Sequence, residues 1–396
     1  MSAPRVLFSF PGRIGTTGIG TTAWHQATGL ARRGAEVHLA CGSVERELPG
    51  VHVLVETMRV AGRKVPYRAV GVDRAIAHHD WRVARMLLGG KRAFDVVHCW
   101  PGGGERTLRA ARARGVPAFL ERPNAHTAFA FDVVSRECDR LGMSLAASSP
   151  HAFDAVKLAR EEREFAAAQA LLCPSDFVAA THAARGEPES RLLRHRYGHD
   201  PQQFSPAPER PERSGLVITF LGRLEPRKGV HFALEAWRRA GLGHGNRLVL
   251  CGRMEHGYDA VLAPLRDQPG VELRSHVADP AGLLRESDAL VLPSLEEGSA
   301  LVTYEARACG AVLLVSDRAG ACARDGHDAL VHAAGDVDAL TGHLRALAAA
   351  PGLLRTLRAN SLAGVGDLTW DAAADALLRA YSEGTANLRG PSALVA

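Results

Sequence analysis

The sequence predicts an α/β protein of two doubly wound domains, each a parallel sheet with helices on both faces. Three observations lead there. Short apolar runs alternate with helix-periodic stretches along most of the chain, the pattern of strand–helix repeats. The alternation breaks once, in a polar stretch at 199–215 holding four prolines, and then restarts. A length of 396 residues suits two domains of ordinary size and falls short of three.

The elements follow in order. Residues 5–10, Arg-Val-Leu-Phe-Ser-Phe, read as a buried first strand and lack the longer apolar core of a signal peptide. Further strands are expected at 36–40, 51–55, 94–98, 117–121, 170–173 and 192–196. Helices are expected between them at 21–33, 74–88, 104–114 and 175–184. The interval 122–168 is less regular and is read as helices packed at a cleft. After the proline-rich hinge, strands are expected at 216–221, 247–251, 271–274, 289–292 and 311–315. Helices follow at 229–240, 257–267, 300–309 and 336–349. This assigns residues 1–205 to the first domain and 206–369 to the second, with the Gly/Pro-containing 389–396 as a loose tail.

Composition narrows the function class. With 46% hydrophobic and 23% charged residues, the chain is neither disordered nor fibrous. The net charge of +5 is spread rather than massed in a block, so no nucleic-acid partner is expected and at most peripheral contact with a membrane. No run approaches the 18 or so apolar residues a membrane span needs. The seven cysteines form no Cys-x-x-Cys pair, which removes zinc and redox motifs and fits a reducing cytoplasm. Asp336-Val-Asp338 spells an acidic pair, but it follows Gly335 and opens a helix, so capping is the expected role and no metal site is assigned.

In open α/β sheets ligands bind beyond the carboxyl ends of the strands, and with two such domains the interdomain cleft is the expected site. Three loops carry candidate chemistry. In the first, Gly15, Gly18 and Gly20 lead into a helix whose amides could meet an anion. Gly18 to Ala23 even fits a dinucleotide fingerprint. However, Gly18 lies well past the strand end, and the second strand closes on Cys41-Gly42-Ser43 without an acid for a ribose. A tight loop is the plain alternative. In the second loop, Gly222, Arg223, Lys228 and Gly229 place two cations beside free helix amides, which suits a diphosphate as well as a solvated basic turn. In the third, Glu297 sits at a helix mouth and Glu305 just over one turn inside. Such carboxylates can accept hydrogen bonds from ligand hydroxyls, while the amides of Ser299, Ala300 and Leu301 face an anion.

Together these segments resemble the retaining GT-B glycosyltransferases of family four, the glycogen-synthase-like group. The resemblance rests on Glu297-x7-Glu305 within Pro-Ser-x-x-Glu-Gly, and on Gly-Arg-Leu-Glu-Pro-Arg-Lys-Gly at 222–229. It rests also on Ser175 with Phe177-Val178, on Tyr197-Gly198-His199-Asp200 with Phe204-x-Pro206, and on 370–381. It implies a GT-B fold whose helix at 370–388 crosses back onto the first domain. It implies that Glu305 holds ribose hydroxyls and Glu297 the donor sugar, while Arg223 and Lys228 clamp the diphosphate. The amides of Gly298, Ser299, Ala300 and Leu301 complete the cradle. His126, in Glu121-Arg-Pro-Asn-Ala-His126, stands where the family keeps a histidine near the reacting sugar, and His98 matches a position on the acceptor side, with a satisfied strand-end histidine as the equal alternative. Two departures stand out: Ile19 separates Gly18 from Gly20, and Ser299-Ala300 replaces the usual Phe-Gly.

The implied reaction moves a sugar from a nucleotide diphosphate, with a uridine diphosphate sugar the expected donor, to a hydroxyl or amine with retention. A double displacement would need a carboxylate on the far face of the sugar; Glu297 is the tempting candidate, but the resemblance places it on a sugar hydroxyl, so front-face departure and attack are expected. The expected acceptor is a small soluble metabolite or natural-product precursor, with a cell-envelope lipid or polysaccharide as the alternative. No cofactor is expected. From other classes, a dinucleotide-dependent oxidoreductase and a non-catalytic sugar-binding module remain as rivals.

Overall fold

The computed structural model describes residues 3–60, 62–90, 93–208, 214–243 and 245–389. Its strands are β1 (Arg5–Ile14), β2 (Glu36–Val44), β3 (Val51–Glu56), β4 (Arg59–Val60), β5 (Arg63–Lys64), β6 (Val96–Cys99), β7 (Ala118–Glu121), β8 (Ala170–Cys173) and β9 (Leu192–Arg194), then β10 (Val217–Leu221), β11 (Arg247–Cys251), β12 (Val271–Arg274), β13 (Ala289–Leu292), β14 (Val312–Ser316) and β15 (Ala329–His332). Among the described residues these form a parallel sheet of order β3-β2-β1-β6-β7-β8-β9, a second of order β12-β11-β10-β13-β14-β15, and the short hairpin β4-β5. The molecule is thus α/β with two doubly wound, Rossmann-like domains, as the strand–helix alternation predicts.

In the first unit, alternate residues of β1 face opposite ways, as the two-residue period of a strand requires. Val6, Phe8 and Phe10 pack with Trp24 and Leu30 of the Ile19–Arg32 helix and with Leu377 and Tyr381 of the Trp370–Arg389 helix. Leu7 faces the other layer, with Val83 and Leu87 of the Val72–Gly89 helix and Leu108 of the Glu105–Ala113 helix. That first helix buries Ala75, His79, Val83 and Leu87, a row spaced four apart that forms one stripe. The Trp370–Arg389 helix is fastened by Arg32 to Asp371 at 2.8 Å, by Arg33 to Asp375 at 2.9 Å, and by His25 stacked on Trp370.

The second unit has its own core, built on Phe220, Trp237, Leu250, Leu290 and Leu313. The helices that position its loops, Val230–Ala240 and Leu301–Ala308, start directly after the turns that follow β10 and β13.

The structure redraws the domain boundaries. One unit comprises Met1–Pro123, Asp154–Arg196 and Trp370–Ala396; the other comprises Asn124–Phe153 and Tyr197–Thr369. The first domain therefore does not run unbroken to 205. Residues 197–208 are no linker. Tyr197 and Phe204 are buried, Arg285 donates to the carbonyls of Gln203 and Ser205, and His199 bridges to Thr369. Residues 209–213 of the expected hinge, and the tail from 390 onward, lie outside the described residues. The irregular interval splits into two helices, Thr127–Arg140 in the second unit and Ala155–Ala167 in the first. Finally, β1 runs four residues past its expected end, because Arg13 and Ile14 pair with Ser43 and Val44 beyond a register shift.

Candidate functional site

The phosphate-loop candidate begins where β10 ends. Gly222 donates its N–H to Cys251 O at 2.9 Å, and Pro226–Lys228 make one tight turn before the Val230–Ala240 helix. Gly229 joins turn to helix at φ 68°, and a Cβ there would stand 2.1 Å from Pro293 O, so only glycine brings this loop against the one after β13. Arg223, partly exposed, pairs with Glu255 at 2.6 Å. Lys228 Nζ pairs with Glu297 Oε1.

Between them lies Arg227, which the sequence leaves inside a basic turn and the structure buries. Its guanidinium stands 3.0 Å from Glu225, 3.3 Å from the Glu296 carboxylate and 3.2 Å from Glu297. Burial works against its charge, but the three carboxylates outweigh burial and hold the guanidinium protonated. Burial likewise pushes Glu297 upward, yet Arg227 and Lys228 more than offset it and hold that carboxyl down at about 2. Glu297 is therefore a fixed anion whose two cations sit on the phosphate loop.

The acidic loop follows β13. The Glu297 amide donates to Arg318 O at 3.1 Å and the Ala300 amide to Ala319 O at 3.3 Å. Of the expected four-amide cradle, Ala300 is thus already occupied, because residues 316–320 run alongside and take it. Gly298 lies so close to Gly320 that a Cβ on the latter would stand 2.2 Å from Gly298 O. Ser299 turns inward, its Oγ 2.7 Å from Tyr304 Oη and donating to Gly320 O at 3.0 Å. Leu301 opens the helix. Glu305 follows just over a turn later, half-buried, with no hydrogen-bond or ion-pair partner among the described residues. Burial pushes its carboxyl up to about 7.

His126 caps the Thr127–Arg140 helix, its Nδ1 accepting the Ala128 amide at 3.2 Å. A neutral ring so held carries its proton on Nε2 and is a donor there. One residue earlier, the Ala125 N–H donates to Glu296 Oε1 at 3.0 Å. Farther along the helix Glu137 stands 2.7 Å from His231 Nε2, and His231 Nδ1 meets Tyr258 Oη at 2.5 Å. His126 therefore belongs to the same unit as Arg223, Lys228, Glu297 and Glu305, although the sequence places it in the first domain.

His98 fits the second of its two readings, a satisfied histidine near the end of β6. It is fully buried, with Nδ1 2.6 Å from Tyr381 Oη and Nε2 3.4 Å from Glu121, which also meets His195 at 3.0 Å. This knot ties strands β6 and β7 to the Trp370–Arg389 helix.

Gly18 and Gly20 belong to the first unit, and His126, Arg223, Lys228, Glu297 and Glu305 to the second. Gly18 caps the Ile19–Arg32 helix at φ 77°; a Cβ on Gly20 would stand 2.6 Å from Arg13 O. Beside this loop, at the carboxyl ends of β1 and β2, opens a cavity of about 520 Å³ lined by Arg13, Ser43, Glu45, Met58, Lys64 and Tyr67. Lys64 pairs with Glu45 at 2.8 Å, and Ser43 donates to the same carboxylate at 2.7 Å. Asp336 caps the Val337–Ala349 helix through the Ala339 amide at 2.8 Å, the capping role expected of it.

Sequence reasoning missed Arg227, Glu225, Glu255 and Glu296. The only signal for Glu296 was its place beside Glu297, and adjacency in a loop does not say which way a side chain points.

Residues 215–350 match the family described as "Glycosyl transferases group 1". The chain is 28% identical over 417 residues to a D-inositol 3-phosphate glycosyltransferase of Actinosynnema mirum, covering 94% of each. Its fold is similar to sucrose-phosphate synthase from Thermosynechococcus elongatus, at TM-score 0.69 and 15% identity over 96% of this chain and 98% of that one. It is similar also to Anabaena HepE in complex with UDP, at TM-score 0.64 and 14% identity over 96% and 99%.

Proposed function

We propose that this chain, of GT-B fold, is a glycosyltransferase that transfers a sugar with retention from a uridine diphosphate sugar to a hydroxyl of a small soluble polyol. The observation that carries this reading is the second unit's pairing of Lys228 and Arg227 with Glu297, eight residues before Glu305, whose carboxyl has no partner among the described residues. Cations for a diphosphate, a fixed acid for sugar hydroxyls and a free acid for a ribose stand together there.

In the proposed step the bond from the anomeric carbon to the β-phosphate oxygen breaks. The acceptor oxygen bonds to that carbon on the same face, and the acceptor proton passes to the departing phosphate. Negative charge grows on the diphosphate as it leaves. Lys228 and Arg223 neutralise it, turning from Glu297 and Glu255, and the helix amides after Ala300 add their dipoles. Glu297 then serves the sugar hydroxyls and Glu305 the ribose, with His126 donating from Nε2 beside the sugar. No step needs a metal. The small acceptor is supported by the relative named for inositol 3-phosphate and by the cavity in the first unit, whose Arg13 and Lys64 suit an acidic polyol.

The test is incubation of the purified protein with UDP-sugars and inositol phosphates, with and without EDTA, following product by mass and by the anomeric proton coupling in NMR. An α-linked product from an α-configured donor, unaffected by EDTA, is expected. Lys228→Ala should lower turnover about 100-fold or more. An inverted product, or a Lys228→Ala protein of near-normal rate, overturns the reading.

A further inference from the structure

Glu296 is 1% exposed and stands within reach of Glu297 and Glu225 through their shared Arg227. A third carboxyl in that place is electrostatically costly, and burial together with Glu297 pushes its pKa up. Arg227 does not require it. The guanidinium already has Glu225 and Glu297, and the backbone carbonyl of Glu296 accepts from Nη1 at 2.8 Å. Beyond its 3.3 Å contact with Arg227 Nη1, the side chain supplies an acceptor for the Ala125 amide, 3.0 Å away and equally buried. A buried N–H left without that acceptor carries the uncompensated cost of its desolvation, enough to shift a loop.

Ala125 directly precedes His126, and the segment Asn124–Phe153 is built into the second unit although the chain on either side of it lies in the first. Ala125 to Glu296 joins this segment to the loop after β13 one residue before His126; Glu137 with His231 anchors the far end of the helix.

We infer that Glu296 is a positioning residue for sugar transfer: its carboxyl fixes the Ala125 amide and so sets His126 against the loop that carries Glu297. The inference rests on the role given to His126 above. Two neighbours in the chain divide the work, Glu296 holding the histidine's backbone and Glu297 meeting the sugar.

Two conservative variants separate positioning from charge. Glu296→Gln keeps an oxygen within reach of the Ala125 N–H but carries no charge. Glu296→Asp keeps the charge but is one methylene too short. For Glu296→Asp we expect kcat to fall about 10- to 100-fold with donor KM changed less than about threefold. Glu296→Gln should stay within about threefold of the parent in both. The double variant Glu296→Asp/His126→Ala should be no slower than His126→Ala alone, within about twofold. A UDP-induced thermal shift kept in every variant reports an intact fold. The reverse order of the two conservative variants, or a rise in KM in place of the fall in kcat, overturns the inference. So do losses that multiply in the double variant, which leave the His126 role standing. A His126→Ala protein at parental rate removes both that role and the inference.

Discussion

Glu297 and Glu305 lie on one loop and one helix turn, yet their protons behave in opposite ways. Arg227 and Lys228 keep Glu297 ionised at any working pH, whereas burial leaves Glu305 half protonated near 7. In the proposed role, ribose hydroxyls donate more strongly to a Glu305 carboxylate than to its acid, so nucleotide binding favours loss of the proton. The sign follows: affinity for UDP is full above pH 8 and weakens as pH falls through 7, by up to about tenfold per unit. Calorimetric titration from pH 8 to 6 tests this, and Glu305→Gln should lose the part of the slope that belongs to the carboxyl. An identical slope in both proteins would refute it. At this scale the sequence was informative where a residue's role follows from its type and its place in a loop. Arg223, Lys228, Glu297 and Glu305 were singled out for that reason. Glu296 and Arg227 were not, because their roles come from partners that folding alone brings near; Ala125 is 171 residues from Glu296.

Among the elements, the strands were the most legible. Strands buried on both faces are apolar without interruption, and β13 and β14 show it directly. The Thr127–Arg140 helix was the least legible. Its sequence shows an amphipathic helix but not which unit owns it, and that choice is made by Glu137, His231 and Tyr258. Burial lowers the His231 pKa, so a neutral ring donates to the Glu137 carboxylate and accepts from the tyrosine hydroxyl. Burial would raise Glu137, but its bonds to His231 and Arg140 hold it at about 2. Glu137→Ala should destabilise the second unit by about 3 kcal/mol, measured by denaturant unfolding. Because the folded pKa is depressed, the contribution of Glu137 is present above the unfolded carboxyl value and lost as pH falls toward 2. Glu137→Gln should therefore flatten the acid limb of the stability curve. A variant that unfolds at the parental denaturant midpoint would show that the helix is held elsewhere.

For the whole molecule, two separate cores predict two unfolding events. The proposed donor residues Arg223, Lys228, Glu297 and Glu305 all lie in one unit, so UDP should raise only that unit's transition. Trp237 is the only tryptophan of the second unit among the five in the chain. In Trp237→Phe, fluorescence then follows the first unit alone and should show no UDP shift, while calorimetry still detects one. A fluorescence shift equal to the calorimetric one would mean that the protein unfolds as a single block. The two-domain count was legible from length and the strand–helix rhythm. The boundary was not, since prolines at 201, 206 and 208 mark turns inside the second unit as readily as a hinge.

The Trp370–Arg389 helix, which closes one face of the first sheet, has a consequence for biosynthesis. Domains usually fold in the order in which they emerge from the ribosome. Here the order is reversed. The second unit is complete at Thr369, whereas the sheet begun at Arg5 lacks Leu377 and Tyr381 until the last helix has been made. At roughly 5–20 residues per second, about 10–40 s separate synthesis of Arg196 from that of Arg389. Throughout that interval the nascent chain presents the apolar face of Val6, Phe8 and Phe119 uncovered on that side. The half of the enzyme synthesised first is the one that most needs a chaperone.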